Sequence, residues 1–232
     1  MIIVYLFLPV SMICAGSTQI TVSIDTVSVS TLSEVDTLDI ILSAGSELGG
    51  FDFKIGSGSS KAVISDVLPG EFVGFCRWDI FNKRSLEIPD VSIASSIWHV
   101  VGLADMAIDD TVKAIYSMDH DASLIRLEVQ TRERSTLSAP ESIPFFFYWD
   151  GCSDNTLSSV SGDTLILSSE VRDGFSGKNY PVSSQFPSYT GLTDDCSRIL
   201  SNPRIQQNLV LRNGGWRFIT RPDSTVIDSS DH

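Results

Sequence analysis

Apolar residues recur at every second position in four stretches of the chain: Ile20, Val22 and Ile24; Leu38, Ile40 and Leu42; Phe51, Phe53 and Ile55; Ile125, Leu127 and Val129. Successive side chains of an extended chain point to opposite faces, so each stretch reads as a strand with one face buried. Between them lie clusters of Gly, Ser, Asn and Asp, at 43–50, 56–60 and 153–155, with the chemistry of turns. No segment repeats its apolar residues with the helical period of 3.6. The phase of the first run slips after Ile24, because Val27 and Val29 continue on odd positions, and this predicts a bulge or a strand switch near Asp25 and Thr26. Pro144 to Trp149 (PFFFYW) carries large apolar groups on both alternating faces, which predicts a central strand covered on both sides. In Leu209 to Ile219 (LVLRNGGWRFI), Asn213, Gly214 and Gly215 separate two apolar runs and tolerate positive φ, the mark of a hairpin. Many short strands without intervening helices predict an all-β fold. Two antiparallel sheets pack as a β-sandwich, followed by a C-terminal loop and hairpin extension.

The N-terminus breaks this pattern. Met1 to Ala15 is one almost unbroken apolar run followed by Gly16 and Ser17, which reads as a signal peptide over residues 1–16 with cleavage near Ala15 or Gly16. It is short for a membrane span, which needs about 20 apolar residues. It also lacks the usual leading Lys or Arg, since the first charge is Asp25. The mature chain is thus expected to be extracellular or on the cell surface, with no membrane insertion after cleavage.

The remainder is long enough for one large sandwich. A net charge of −13 repels the phosphate backbone and anionic lipid, which excludes nucleic-acid binding as a main function. Of the cysteines, Cys76, Cys152 and Cys196 remain after the leader. Cys152 and Cys196 sit in turn-like polar contexts and are the expected disulfide, leaving Cys76 free and buried.

The order of segments GGFDF (49–53), VLPGE (67–71) and WDGCSDNTLSSVSGDTL (149–165) resembles the cohesin-like modules of extracellular bacterial proteins. In that family a GGFDF-type strand precedes an apolar strand ending in PGE, and a late strand carries a WxDCGDNT…SGDTL pattern. The resemblance covers Ile20 to Val171. It implies a nine-stranded jelly-roll sandwich related to cellulose-binding modules, and a binding role without turnover, because the best-known members capture dockerin modules through a sheet face. The implied division is a cohesin-like β-sandwich over 17–171 and a C-terminal extension over 172–232 packing on it, with a polar tail from Asp223 to His232. The extension departs from a typical cohesin.

No catalytic motif is present: neither G-x-S-x-G nor H-E-x-x-H occurs, and His99, within an apolar strand, reads as a satisfied structural histidine. No organic cofactor is called for. Calcium is the one metal for which oxygen-rich loops offer ligands, and among Asp105/Asp109/Asp110, Asp119/Asp121 and Asp150/Asp154/Asn155 the last set is preferred, because it directly follows the strongest core strand. A polysaccharide ligand needs exposed rings on a rigid surface, for which Trp78, Tyr180 and Tyr189 are the candidates. The expected partner is therefore a polysaccharide or another extracellular protein, with a purely structural or adhesive surface domain as the alternative and a secreted glycoside hydrolase, built on two converging carboxylates, ranked below it.

Overall fold

The computed structural model describes residues 19–29, 35–86, 97–104, 117–132, 141–149, 151, 153–168, 170–181, 199 and 201–218. The expected leader and the polar tail lie outside these residues. Among them the chain forms β1 (Ile20–Ile24), β2 (Thr26–Val29), β3 (Val35–Leu42), β4 (Gly50–Ser57), β5 (Ala62–Pro69), a single helical turn α1 (Glu71–Phe75), β6 (Ile80–Leu86), β7 (Ile97–Leu103), β8 (Ala122–Thr131), β9 (Glu141–Phe147), β10 (Thr156–Ser158), β11 (Leu165–Ile166), β12 (Glu170–Asp173), β13 (Asn179–Pro181), β14 (Ile205–Gln206) and β15 (Leu209–Phe218). The first sheet runs β13-β12-β15-β1-β3-β8-β5. The second runs β6-β7-β4-β9-β15-β2, and β10, β11 and β14 continue from the start of β4.

The period-two residues fill the space between the sheets. Val22, Leu38, Ile40, Phe53, Ile55, Leu127 and Val129 are all fully buried. Their burial is the dominant favourable contribution to the fold. At the centre the rings of Phe53 and Phe147 meet edge to face at 5.5 Å, and those of Phe145 and Trp216 at 5.8 Å.

β15 belongs to both sheets. Leu209 to Arg212 pair with β1 in the first, and Gly215 to Phe218 pair with β2 and β9 in the second. β1 and β2 make the same crossing at Asp25, and the parallel register between the two partners is unchanged across it. The phase slip after Ile24 is this sheet switch. The crossing brings backbones into contact at two glycines. A Cβ on Gly214 would lie 2.1 Å from the Ile24 carbonyl oxygen, and one on Gly215, whose φ is +137°, 2.1 Å from the Ile143 oxygen. Leu209–Phe218 is therefore not a hairpin: the glycines that suggested a turn permit one long strand to bend between sheets. β12 spans Val171, and β15 is interior to both sheets. The pairing of β15 with β1, β2 and β12 is parallel, so the sheets are not purely antiparallel.

β9 is central, as its aromatics predict, but covered fully on one face only. Ile143, Phe145 and Phe147 point inward and are buried, while Pro144 and Phe146 are half-buried outside, lying over Gly58 and Gly56. The helical turn α1 follows Pro69 and Gly70, buries Phe72 and Val73, and ends where the Cys76 N–H donates to the Phe72 carbonyl. Five residues are too few to show a helical period in the sequence. Cys76 is free and buried, as expected, and burial pushes its thiol pKa up.

Cross-sheet ties close the sandwich edge. The Trp98 indole N–H donates to the Ile64 carbonyl at 3.1 Å, Lys61 pairs with Glu141 at 2.5 Å, and Lys83 pairs with Asp66. The hydrogen bond from Lys83 holds the Asp66 carboxyl below its ordinary value.

Three outcomes follow from this architecture. Gly214→Ala should lower stability by about 3 kcal/mol or more, read from urea melts, because the obstacle is backbone rather than a movable side chain. Trp216→Ala should cost about 3–5 kcal/mol in the same assay through the cavity it opens. Lys83→Met should cost only about 0.2–1 kcal/mol at neutral pH, since this ion pair is partly solvated. A lowered carboxyl pKa stabilises above the unfolded-state value and is lost as pH falls through the folded one, so the Lys83→Met difference should vanish in melts below that titration.

Candidate functional site

The alternation that buries Phe51, Phe53 and Ile55 turns Gly50, Asp52, Lys54 and Gly56 of β4 outward. Register then assembles rows across three strands. Gly50 lies beside Leu103 and Ile80, Asp52 beside Val101 and Asn82, Lys54 beside His99 and Arg84, and Gly56 beside Ile97 and Leu86. The outcome is a sheet face with apolar ends and a polar middle.

The middle is held by hydrogen bonds. Arg84 Nε donates to His99 Nδ1 at 3.2 Å, and His99 Nε2 lies 2.7 Å from Asp52 Oδ1. A guanidinium has no acceptor, so Nδ1 must carry the lone pair; in the neutral ring the proton is then on Nε2 and points at Asp52. Both ring nitrogens are engaged, so this imidazole is the satisfied histidine the sequence suggested. It sits on the outer face rather than in the core, beside an exposed Arg84. At one end Val101, Leu103, Thr156, Ser158 and Leu165 line a shallow depression of about 230 Å³, with Leu165 exposed.

The residues proposed for calcium do other work. Lys54 pairs with Asp154 at 2.9 Å, and the other Asp154 oxygen accepts the Gly151 N–H at 2.9 Å. Asn155 is fully buried at φ 56°; its Oδ1 accepts the Lys54 N–H at 2.8 Å and its Nδ2 donates to the Tyr148 carbonyl at 2.6 Å. The amide thus splices the loop to β4, and its oxygen is already spent. Asp150 lies outside the described residues, as do Asp105, Asp109 and Asp110. Asp121 accepts the Ala44 N–H at 2.8 Å and Asp119 bonds His120 at 2.8 Å. Among the described residues no group of three His, Cys, Asp or Glu is placed to hold a metal.

Of the proposed sugar-binding rings, Trp78 is corrected. It is 8% exposed, packed 5.5 Å from Phe51 and 5.6 Å from Phe72, and even its indole nitrogen is buried without a partner among the described residues. Its polar neighbours in sequence misled, because the turn after α1 points the ring inward. Tyr180 is exposed on β13. Tyr189 lies outside the described residues, and so do Cys152 and Cys196, the expected disulfide. Among the described residues the most exposed rings, Phe75 and Tyr180, sit on separate elements, α1 and β13, and form no row. A cleft of about 610 Å³ at the end of the sandwich, lined by Ile20, Val160 and Ile166 among others, carries Glu47 as its one charged residue, so no pair of carboxylates converges there.

Asp52 and Arg84 are absent from the sequence-based candidates. Alternation alone would have placed Asp52 outward, but that it meets His99 and Arg84 depends on a register that no local pattern encodes.

Among the described residues no helix is long and apolar enough to cross a membrane. No protein-family model matches the chain, and no curated protein matches it. Solved structures similar to it are cohesin modules. A non-cellulosomal cohesin from the archaeon Archaeoglobus fulgidus is 11% identical over 88% of this chain and 93% of its own, with a TM-score of 0.43. A type I cohesin–dockerin complex of OlpA from Clostridium thermocellum gives 12% identity, 87% and 100% coverage, and a TM-score of 0.46. The seventh ScaB type I cohesin of Pseudobacteroides cellulosolvens gives 9%, 93% and 99%, and 0.45.

Proposed function

We propose that this chain is a secreted, non-catalytic module that docks a partner protein on the outer face of β6, β7 and β4. The observation that carries this reading is the Asp52–His99–Arg84 chain set in the middle of an otherwise mixed apolar sheet face. An exposed Arg84 on the same sheet face as Val101, Leu103, Ile80 and Leu86 has the composition of a protein contact, in which Arg anchors specificity and apolar residues exclude water. Arg84 calls for a partner carboxylate, because the bidentate pair is the strongest hydrogen bond its free edge can make. Among the described residues of this face the imidazole of His99 has both nitrogens committed.

The sequence resemblance to cohesin-like modules supports the same assignment, since it implies capture of a dockerin-type module through a sheet face. Secretion rests on the apolar leader. A polysaccharide is not the ligand we assign to this face, because it offers no row of exposed rings.

The test is surface plasmon resonance of the mature chain against a panel of purified dockerin modules, with calcium present. We expect saturable binding by at least one of them, weakened about 10- to 100-fold by Arg84→Glu and by Val101→Asp. Melting curves should show both variants folded, since both positions face outward. Binding that survives both substitutions, or a panel with no binder, would sink this reading.

A further inference from the structure

The outer face of the other sheet carries a second, chemically different site. Arg172 of β12 and Arg212 of β15 are direct register partners in a parallel pair. Their neighbours Val171 and Leu211 are buried, so both arginines point away from the core. They line one side of a pocket of about 240 Å³, with Thr21, Glu170, Asn179 and Gln207 around the remainder.

Like charges directly opposite one another on adjacent strands repel. Nothing relieves them here: neither guanidinium makes an ion pair or a side-chain hydrogen bond with any described residue, although the chain holds 29 acidic residues against 16 basic ones. Arg212 Nε is buried and has no acceptor among the described residues. A buried charged donor left unpaired is costly, more so than an exposed one. Among the described residues lining the pocket the one carboxylate, Glu170, accepts from Asn179 Nδ2 at 3.1 Å.

We infer that Arg172 and Arg212 form a receptor for a small hydroxylated carboxylate of the sugar-acid class. The planar carboxylate bridges the terminal nitrogens of the two guanidinium groups and offsets the repulsion between the strands. Thr21 supplies a hydroxyl and Asn179 its amide oxygen for the ligand's hydroxyl groups, and the pocket has room for a single sugar-sized unit. The site lies on the opposite side of the sandwich from the docking face and does not depend on it.

Isothermal titration of the mature chain with glucuronate, with glucose and sulfate as comparison ligands, tests the assignment. Glucuronate should bind saturably, glucose should not, and sulfate should bind at least tenfold more weakly than the planar anion. Arg172→Gln and Arg212→Gln should each weaken glucuronate at least tenfold, and the double variant should abolish binding. Arg172 is exposed, so its variant should fold as the parent does, and a melting curve confirms this. An oligouronate binding more tightly than glucuronate would identify an acidic polysaccharide as the source of the carboxylate; equal affinity would identify the free acid. Three results overturn the inference: no saturable glucuronate binding up to about 10 mM, equal affinity for glucose or sulfate, or unchanged glucuronate affinity in folded Arg172→Gln.

Discussion

The structure depends on one close approach of backbone to backbone, where β15 and the β1–β2 segment cross together from one sheet to the other. Two strands can change sheets side by side only if their peptide groups remain paired through the bend. Here the Gly215 N–H donates to the Asp25 carbonyl at 2.8 Å at the crossing itself. The approach leaves no room for a Cβ at Gly214 or Gly215. The constraint joins both sheets near both ends of the described chain, and one parallel register runs through it from β1 to β2. Such long-range pairing carries a loop-closure cost that only the buried core offsets.

The two outer faces then diverge because their registers differ. On β4, β7 and β6, antiparallel pairing lines up an acid, an imidazole and a guanidinium within hydrogen-bond reach, and the charges satisfy one another. On β12 and β15, parallel pairing sets two guanidinium groups side by side, and they do not. One face offers a settled surface with a projecting arginine, suited to a protein. The other offers an unsettled charge in a small pocket, suited to a ligand that brings its own anion.

Burial and exposure explain which local readings held. The strand pattern of Ile20–Ile24, Leu38–Leu42, Phe51–Ile55 and Ile125–Val129 was legible because period two is imposed by the peptide geometry of each strand alone. The switch at Asp25 was legible for the same reason, as a break in phase. The glycines at 214 and 215 were read as a turn because positive φ has two uses, and sequence does not distinguish a chain reversal from a crossing. Trp78 looked exposed from its neighbours, yet the turn after α1 buries it against Phe51 and Phe72. Asn155 looked like a calcium ligand, yet its amide bonds the backbone of residues 54 and 148.

That this chain forms a sheet-rich core can be read from residue order: alternation, turn chemistry and the lack of a helical period are properties of neighbouring residues. Its negative charge set the class of partners it repels. Only the tertiary structure decided which strands become neighbours, and hence that Asp52 meets His99 and Arg84, that Arg172 faces Arg212, and that Asp154 is neutralised by Lys54. The physical reason is register. A shift of one residue exchanges every inward side chain for an outward one, and that choice is made by the packing of the whole core rather than by any segment of it.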